Sequence, residues 1–164
     1  MKAIFAGTFN PFTLGHKNIV KRALDVFGSV TVAVAVETGK STVPISKRTE
    51  IAKQATADLK GVTVENFDGL LTDYVKSIGE PCVLVRGVRS TKDLEYERDL
   101  TRVYKQLCGV QTVFIMPDAE YEHVSSTTVR ALAALGGELD GFVEPCTKKS
   151  IMRIYGGQPN KGEL

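Results

Sequence analysis

Four stretches of this 164-residue chain gather residues suited to holding anions, and each follows a short run of β-branched and small apolar residues. Residues 7–16 read GTFNPFTLGH. Gly7 and Gly15 let the backbone turn tightly ahead of a helix, whose first amides and positive dipole end attract phosphate. His16 falls at or near the first helical turn, where it supplies a donor or, beside a phosphate that favours its protonated form, a positive charge. Taken alone, the loop reads equally well as a plain glycine turn with an exposed histidine, and it is neither a P-loop nor the GxGxxG dinucleotide pattern.

Residues 37–44 read ETGKSTVP, in which Gly39 and Lys40 offer a flexible cation or a merely solvated lysine. Residues 86–89 read RGVR, so Arg86 and Arg89 can grip phosphate with paired hydrogen bonds while Gly87 lets the backbone approach. The following stretch carries Asp93, Glu95, Glu97, Arg98 and Asp99, which gives the arginines an alternative as surface ion pairs. Residues 124–130 read VSSTTVR, where Ser125 or Ser126 is a natural N-cap and the spare hydroxyls and amides make a second anion site. No Ser/His/Asp or Cys/His arrangement and no metal-ligand spacing stands out, and His123 reads as a rim residue.

Positioning these loops falls to alternating strands and helices. Residues 3–6, 30–36, 62–65, 82–85 and 112–116 are nearly continuous apolar runs, which suits parallel strands covered on both faces. Amphipathic stretches at 16–27, 46–59, 70–78, 91–107, 126–135 and 145–155 predict helices, with Gly28 a stop for the first. The expected fold is α/β, a doubly wound five-stranded parallel sheet with helices on both faces, in a single domain over 1–156 with a mobile tail at 157–164. In such a sheet, ligands bind beyond the carboxyl ends of the strands, where all four stretches lie.

Composition agrees: 43% hydrophobic and 24% charged residues exclude disorder, and 21 basic against 19 acidic residues exclude a general nucleic-acid or membrane-surface role. Cys82, Cys108 and Cys146, odd in number and widely spaced, read as buried thiols in a reducing compartment. The N-terminal apolar run is too short for a signal peptide or a span, so a cytoplasmic location is expected.

These residues carry a family resemblance. GTFNPFTLGH is similar to the phosphate-binding signature of the nucleotidylyltransferase superfamily, usually H-x-G-H and here Thr13, Leu14, Gly15, His16. With RGVR, then DLEYE, then VSSTTVR, in that order and over nearly the whole length, the chain resembles the bacterial phosphopantetheine adenylyltransferases. That resemblance implies a dinucleotide-binding-like fold, a homohexamer, and transfer of adenylyl from ATP to 4′-phosphopantetheine, giving dephospho-coenzyme A and pyrophosphate. It implies Mg²⁺ delivered with ATP, and coenzyme A as a feedback ligand competing for the same pocket. By the same resemblance Thr8 and Phe9 meet both substrates, and His16 stabilises the transition state on the ATP phosphates. Arg89 and Glu97 contact ATP, joined by Gly87, Val88, Tyr121, Glu122, His123, Val124, Ser125, Ser126 and Thr127. Lys40, Leu71 and Arg86 contact phosphopantetheine, Lys40 also reaching the reacting phosphates.

The chain departs from the family in having Tyr104 for a common asparagine, Ala131 near a frequent acid, and Ser46 and Lys47 for an acidic pair before Arg48. A sister enzyme acting on nicotinamide mononucleotide or making cytidine diphosphate-glycerol would use the same loops, but Thr13 and the placement of RGVR argue against it. A non-catalytic nucleotide sensor would have no need of His16 with Lys40 and Arg89.

Overall fold

In the computed structural model, residues 1–36 and 43–157 are described. Lys40 and the expected tail beyond Gly157 lie outside them. The strands β1 (Lys2–Gly7), β2 (Val30–Ala35), β3 (Val62–Phe67), β4 (Cys82–Gly87) and β5 (Gln111–Ile115) form one parallel sheet in the order β3-β2-β1-β4-β5. Every neighbouring pair is parallel, with Ala3 opposite both Val30 and Val83. The helices are α1 (Leu14–Phe27), α2 (Ile45–Ala55), α3 (Leu71–Ser77), α4 (Thr91–Cys108), α5 (Ser126–Ala134) and α6 (Pro145–Tyr155).

Strand alternation divides the apolar residues between two layers. Ala3, Phe5, Val30, Val32, Val34, Val83 and Val85 face α1, α2, α5 and α6, where Ile19, Val20, Ile51, Val129 and Ile151 meet them. Ile4, Ala6, Ala33 and Leu84 face the other way, against Val75 and the flanking Leu71, Tyr74 and Tyr104 of α3 and α4. Each fully buried Val, Ile or Phe contributes about 1.5–3 kcal/mol, so these layers hold the central strands in register. Helix α1 ends as its sequence requires, with Gly28 in the left-handed region at φ 74° and its amide on the Leu24 carbonyl.

The expected sheet, coverage and helices are present, with local differences. Helix α2 stops at Ala55 rather than 59, because Thr56 leaves helical geometry and turns its hydroxyl onto the Ala52 carbonyl at 2.8 Å. The edge strand β5 is not covered on both faces: Val113 and Phe114 are each 36% exposed. The thiols are not all buried either; Cys82 and Cys108 are half-buried and Cys146 is exposed at the start of α6. A 3₁₀ turn, Ala119–Tyr121, follows β5 where the sequence suggested only a loop. Among the described residues, no helix is long and apolar enough to cross a membrane.

Candidate active site

The chain builds β1, β2 and β3 outward in one direction and then returns to place β4 against β1. The connections leaving β1 and β4 therefore diverge, and a crevice opens between their carboxyl ends. A cleft of about 420 Å³ lies there, floored by Phe5, Ala6 and Gly7 of β1 and by Arg86 and Gly87 of β4. Packing is tight at Gly87, where a Cβ would sit 3.1 Å from the Ile19 side chain of α1.

Helix α1 points its N-terminus at this cleft. Thr13 is the N-cap, and a reciprocal capping box forms: the Thr13 hydroxyl accepts from the His16 amide at 3.4 Å, and the Thr13 amide donates to His16 Nδ1 at 3.0 Å. Because Nδ1 is the acceptor, the ring proton sits on Nε2. Phe9 packs edge-on against the imidazole at 5.1 Å, Phe12 lies at 5.3 Å, and Phe5 at 6.2 Å. This burial, and then the positive charge of Arg89, push the His16 pKa down to about 4. Of the two roles open from sequence, the free site holds His16 as a neutral donor.

The loop between β1 and α1 is held by residues of α5 and α6. Arg130 of α5 donates to the Asn10 carbonyl at 2.6 Å, Ser126 to the Pro11 carbonyl at 2.7 Å, and the Tyr155 hydroxyl of α6 to Asn10 Oδ1 at 2.5 Å. Phe9 adopts a positive φ of 45°, rare for a residue with a side chain, and is 3% exposed.

Across the cleft, Ser125 caps α5, accepting from the Thr128 amide at 3.0 Å, which decides between the two candidate caps. Gly15 lets this segment approach α1, since a Cβ there would lie 3.1 Å from the Val124 carbonyl. Arg89 bridges the two sides: Nη1 donates to the Val124 carbonyl at 3.3 Å, and Nε reaches Asp93 at 3.4 Å. At 40% exposure its guanidinium can turn to a bound anion.

Arg86 is differently placed. Its Nε and Nη2 grip Glu97 at 2.7 and 2.5 Å, and Nη1 donates to the Ala6 carbonyl at 2.6 Å. Burial works to lower its pKa, and the hydrogen bonds and charge of Glu97 more than reverse that, so the net shift is upward. The arginine–acid pairing weighed from sequence thus exists, but for Arg86 it is a buried bidentate fork rather than a surface pair.

Twelve of the expected site residues line this cleft: Thr8, Phe9, His16, Arg86, Gly87, Arg89, Glu97, Tyr121, Val124, Ser125, Ser126 and Thr127. Val88 does not; it is buried, with its amide on the Ile115 carbonyl at 3.0 Å. Glu122 and His123 are exposed beyond the lining, and the His123 ring rests edge-on against Phe142 at 5.6 Å. Leu71 packs instead with the α3–α4 apolar layer. Lining residues that sequence reading did not assign are Phe5, Ala6, Ile19, Asp93, Tyr96 and Pro117. Asp93 had a legible signal, lying one helical turn before Glu97 on α4. Asn18 had none: it donates to Asp118 at 2.6 Å and accepts from the Asp118 amide at 2.9 Å, fixing the turn after Pro117 from 100 residues away.

Sequence and fold both match known proteins. Residues 4–132 match the model of the cytidylyltransferase-like family. A phosphopantetheine adenylyltransferase of Acidovorax sp. (strain JS42) is 41% identical over 156 residues, covering 94% of both chains. One from Moorella thermoacetica is 38% identical over 94% of this chain and 97% of its own, and one from Deinococcus radiodurans is 39% identical over 158 residues. Among solved structures, the nicotinic acid mononucleotide adenylyltransferase of Plasmodium falciparum, complexed with NaAD, superposes with a TM-score of 0.71 over 93% of this chain and 95% of its own. At 12% identity that likeness concerns the fold alone.

Proposed function

The chain belongs to the phosphopantetheine adenylyltransferases within the cytidylyltransferase-like family, and on that premise we propose how its cleft carries out adenylyl transfer. The chain transfers the adenylyl group of ATP to 4′-phosphopantetheine, giving dephospho-coenzyme A and pyrophosphate, a step of coenzyme A biosynthesis. The observation that carries the mechanism is the convergence of a half-buried neutral His16, a partly exposed Arg89 and the N-termini of α1 and α5 on one crevice. These groups stabilise anionic phosphoryl oxygens and include no nucleophile activated by a base.

A phosphate oxygen of phosphopantetheine attacks the α-phosphorus of ATP in line, forming one P–O bond as the bond from that phosphorus to the bridging oxygen breaks and pyrophosphate leaves. His16 Nε2 and Arg89 donate to the oxygens on which charge builds, while Thr8, Gly87 and the 121–127 segment orient the nucleotide. Lys40, Leu71 and Arg86 are assigned to phosphopantetheine by family resemblance. For Arg86 the fixed fork to Glu97 supports a rigid, preset donor, whereas Leu71 lies outside the cleft lining.

Mg²⁺ enters as part of the substrate, MgATP. The carboxylates lining the cleft do not fit a protein-held cation: both oxygens of Glu97 are engaged by Arg86, and Asp93 accepts from the Arg89 amide and Nε. Association of copies, with a hexamer as the family form, is supported by exposed Leu94, Val103, Leu107 and Met116 beside β5; light scattering of the purified protein tests it. A cytoplasmic location and feedback by coenzyme A at the same cleft belong to this reading.

The deciding measurement is pyrophosphate release from MgATP with 4′-phosphopantetheine, run in parallel with nicotinamide mononucleotide and glycerol 3-phosphate. Release with phosphopantetheine alone is expected. Release with another acceptor would overturn the acceptor assignment, and binding of ATP without turnover would favour a sensor.

A further inference from the structure

Arg48, in the first turn of α2, is 2% exposed and lies outside the cleft lining. A guanidinium keeps its charge at any accessible pH, and burial of a cation is tolerated only where hydrogen bonds replace its water. Here carbonyls replace it. Nη1 donates to the carbonyl of Thr8 and to that of Ala35 at 2.9 Å, and Nε donates to that of Val43 at 3.3 Å. One planar group therefore joins the loop after β1, the last residue of β2 and the approach to α2.

The consequence runs through Thr8. The peptide linking Thr8 to Phe9 is trans, so a carbonyl tied to Arg48 turns the Phe9 amide the opposite way. Fixing that plane helps to hold Phe9 at its positive φ of 45°, and the Phe9 ring is the one that meets His16 edge-on at 5.1 Å. We infer that Arg48 is a positioning residue for adenylyl transfer, fixing the Thr8–Phe9 peptide and, through the Phe9 ring, the His16 imidazole. The inference rests on the adenylyl-transfer reading of the cleft. A lysine would keep the charge but not the fork, since an ammonium is a point donor that cannot span the carbonyls of Thr8, Ala35 and Val43 in one plane.

The test is steady-state pyrophosphate release by Arg48→Lys, with His16→Gln and the double variant completing a cycle. Arg48→Lys is expected to retain a cooperative melt and to lose about tenfold or more in kcat, with the KM for MgATP moving less than about threefold. Placed on His16→Gln, the same change should cost about threefold or less, because the imidazole it positions is already gone. Ile51→Ala removes buried apolar contact on the same helix, destabilising the fold, and should leave kcat within about twofold; a comparable loss of kcat there would reduce Arg48 to a stability role. If Arg48→Lys does not fold, Phe9→Leu enters the cycle from the other end of the same contact chain, with the same non-additivity expected. An active wild type with an unaffected Arg48→Lys, or additive losses across the cycle, overturns this inference alone. A wild type without turnover on phosphopantetheine overturns the adenylyl-transfer reading itself, and the Arg48 assignment with it.

Discussion

Replacing His16 by glutamine separates the proton from the donor. In the free protein the imidazole accepts from the Thr13 amide through Nδ1 at 3.0 Å, and burial followed by the charge of Arg89 lowers its pKa from 6.5 to about 4. Glutamine at this third helical position preserves a capping box with Thr13 and keeps an N–H donor, but it does not titrate. The unfolded chain protonates His16 as pH falls below about 6.5 while the folded chain resists until about 4. The stability from the neutral ring is therefore present above 6.5 and lost as pH falls through the folded value. At 1.36 kcal/mol per pH unit, the loss between those limits is about 3 kcal/mol. Urea unfolding at pH 7 and at pH 4.5 measures it: wild type should lose about 2–3 kcal/mol more over that interval than His16→Gln. In turnover, His16→Ala removes the donor and should lower kcat by about 10²–10³-fold, with His16→Gln intermediate. Equal acid sensitivity of the two proteins, or a kcat/KM inflection near 6.5 that vanishes in His16→Gln, would refute the neutral-donor assignment.

Gly15→Ala places a Cβ about 3.1 Å from the Val124 carbonyl, so the 121–127 segment must shift; the KM for MgATP should rise several-fold, read by initial rates. Arg86→Ala leaves the Glu97 carboxylate buried without its fork and should cost about 3–5 kcal/mol in urea unfolding. Adding Glu97→Gln should restore part of that stability while the weakened phosphopantetheine KM persists; full recovery of KM would remove Arg86 from the substrate site. Lys17 of α1 is 4% exposed and holds Asp58 and Glu144, each at 2.7 Å. Lys17→Met should lower Tm by about 4–10 °C and leave kcat within about twofold. Burial works to lower the Lys17 pKa, but its two acid partners raise it overall, so the difference between the two proteins should persist to about pH 10 and fade only above it.

Sequence alone determined what is local. Residues 30–35 are an unbroken run of Val, Thr and Ala, which only a parallel strand covered on both faces explains. Gly28 ends α1 because a residue there must adopt positive φ, and a hydroxyl residue at 125 or 126 caps α5 because the first amides of any helix need an acceptor. Motif order extended this to a family and to most of the residues that line the cleft.

Tertiary structure decided what depends on separation in space. The strand order puts the crevice between β1 and β4, and no strand's own sequence encodes its neighbour. The charge state of His16 follows from an enclosure built by Phe5, Phe9 and Phe12, since desolvation belongs to the surroundings rather than to the residue. The exposure of β5, which its apolar sequence concealed, follows from its place at the sheet edge. Arg48 on three carbonyls and Asn18 on Asp118 join residues up to 100 positions apart, where periodicity and turn chemistry carry no signal and only the packed chain brings donor to acceptor.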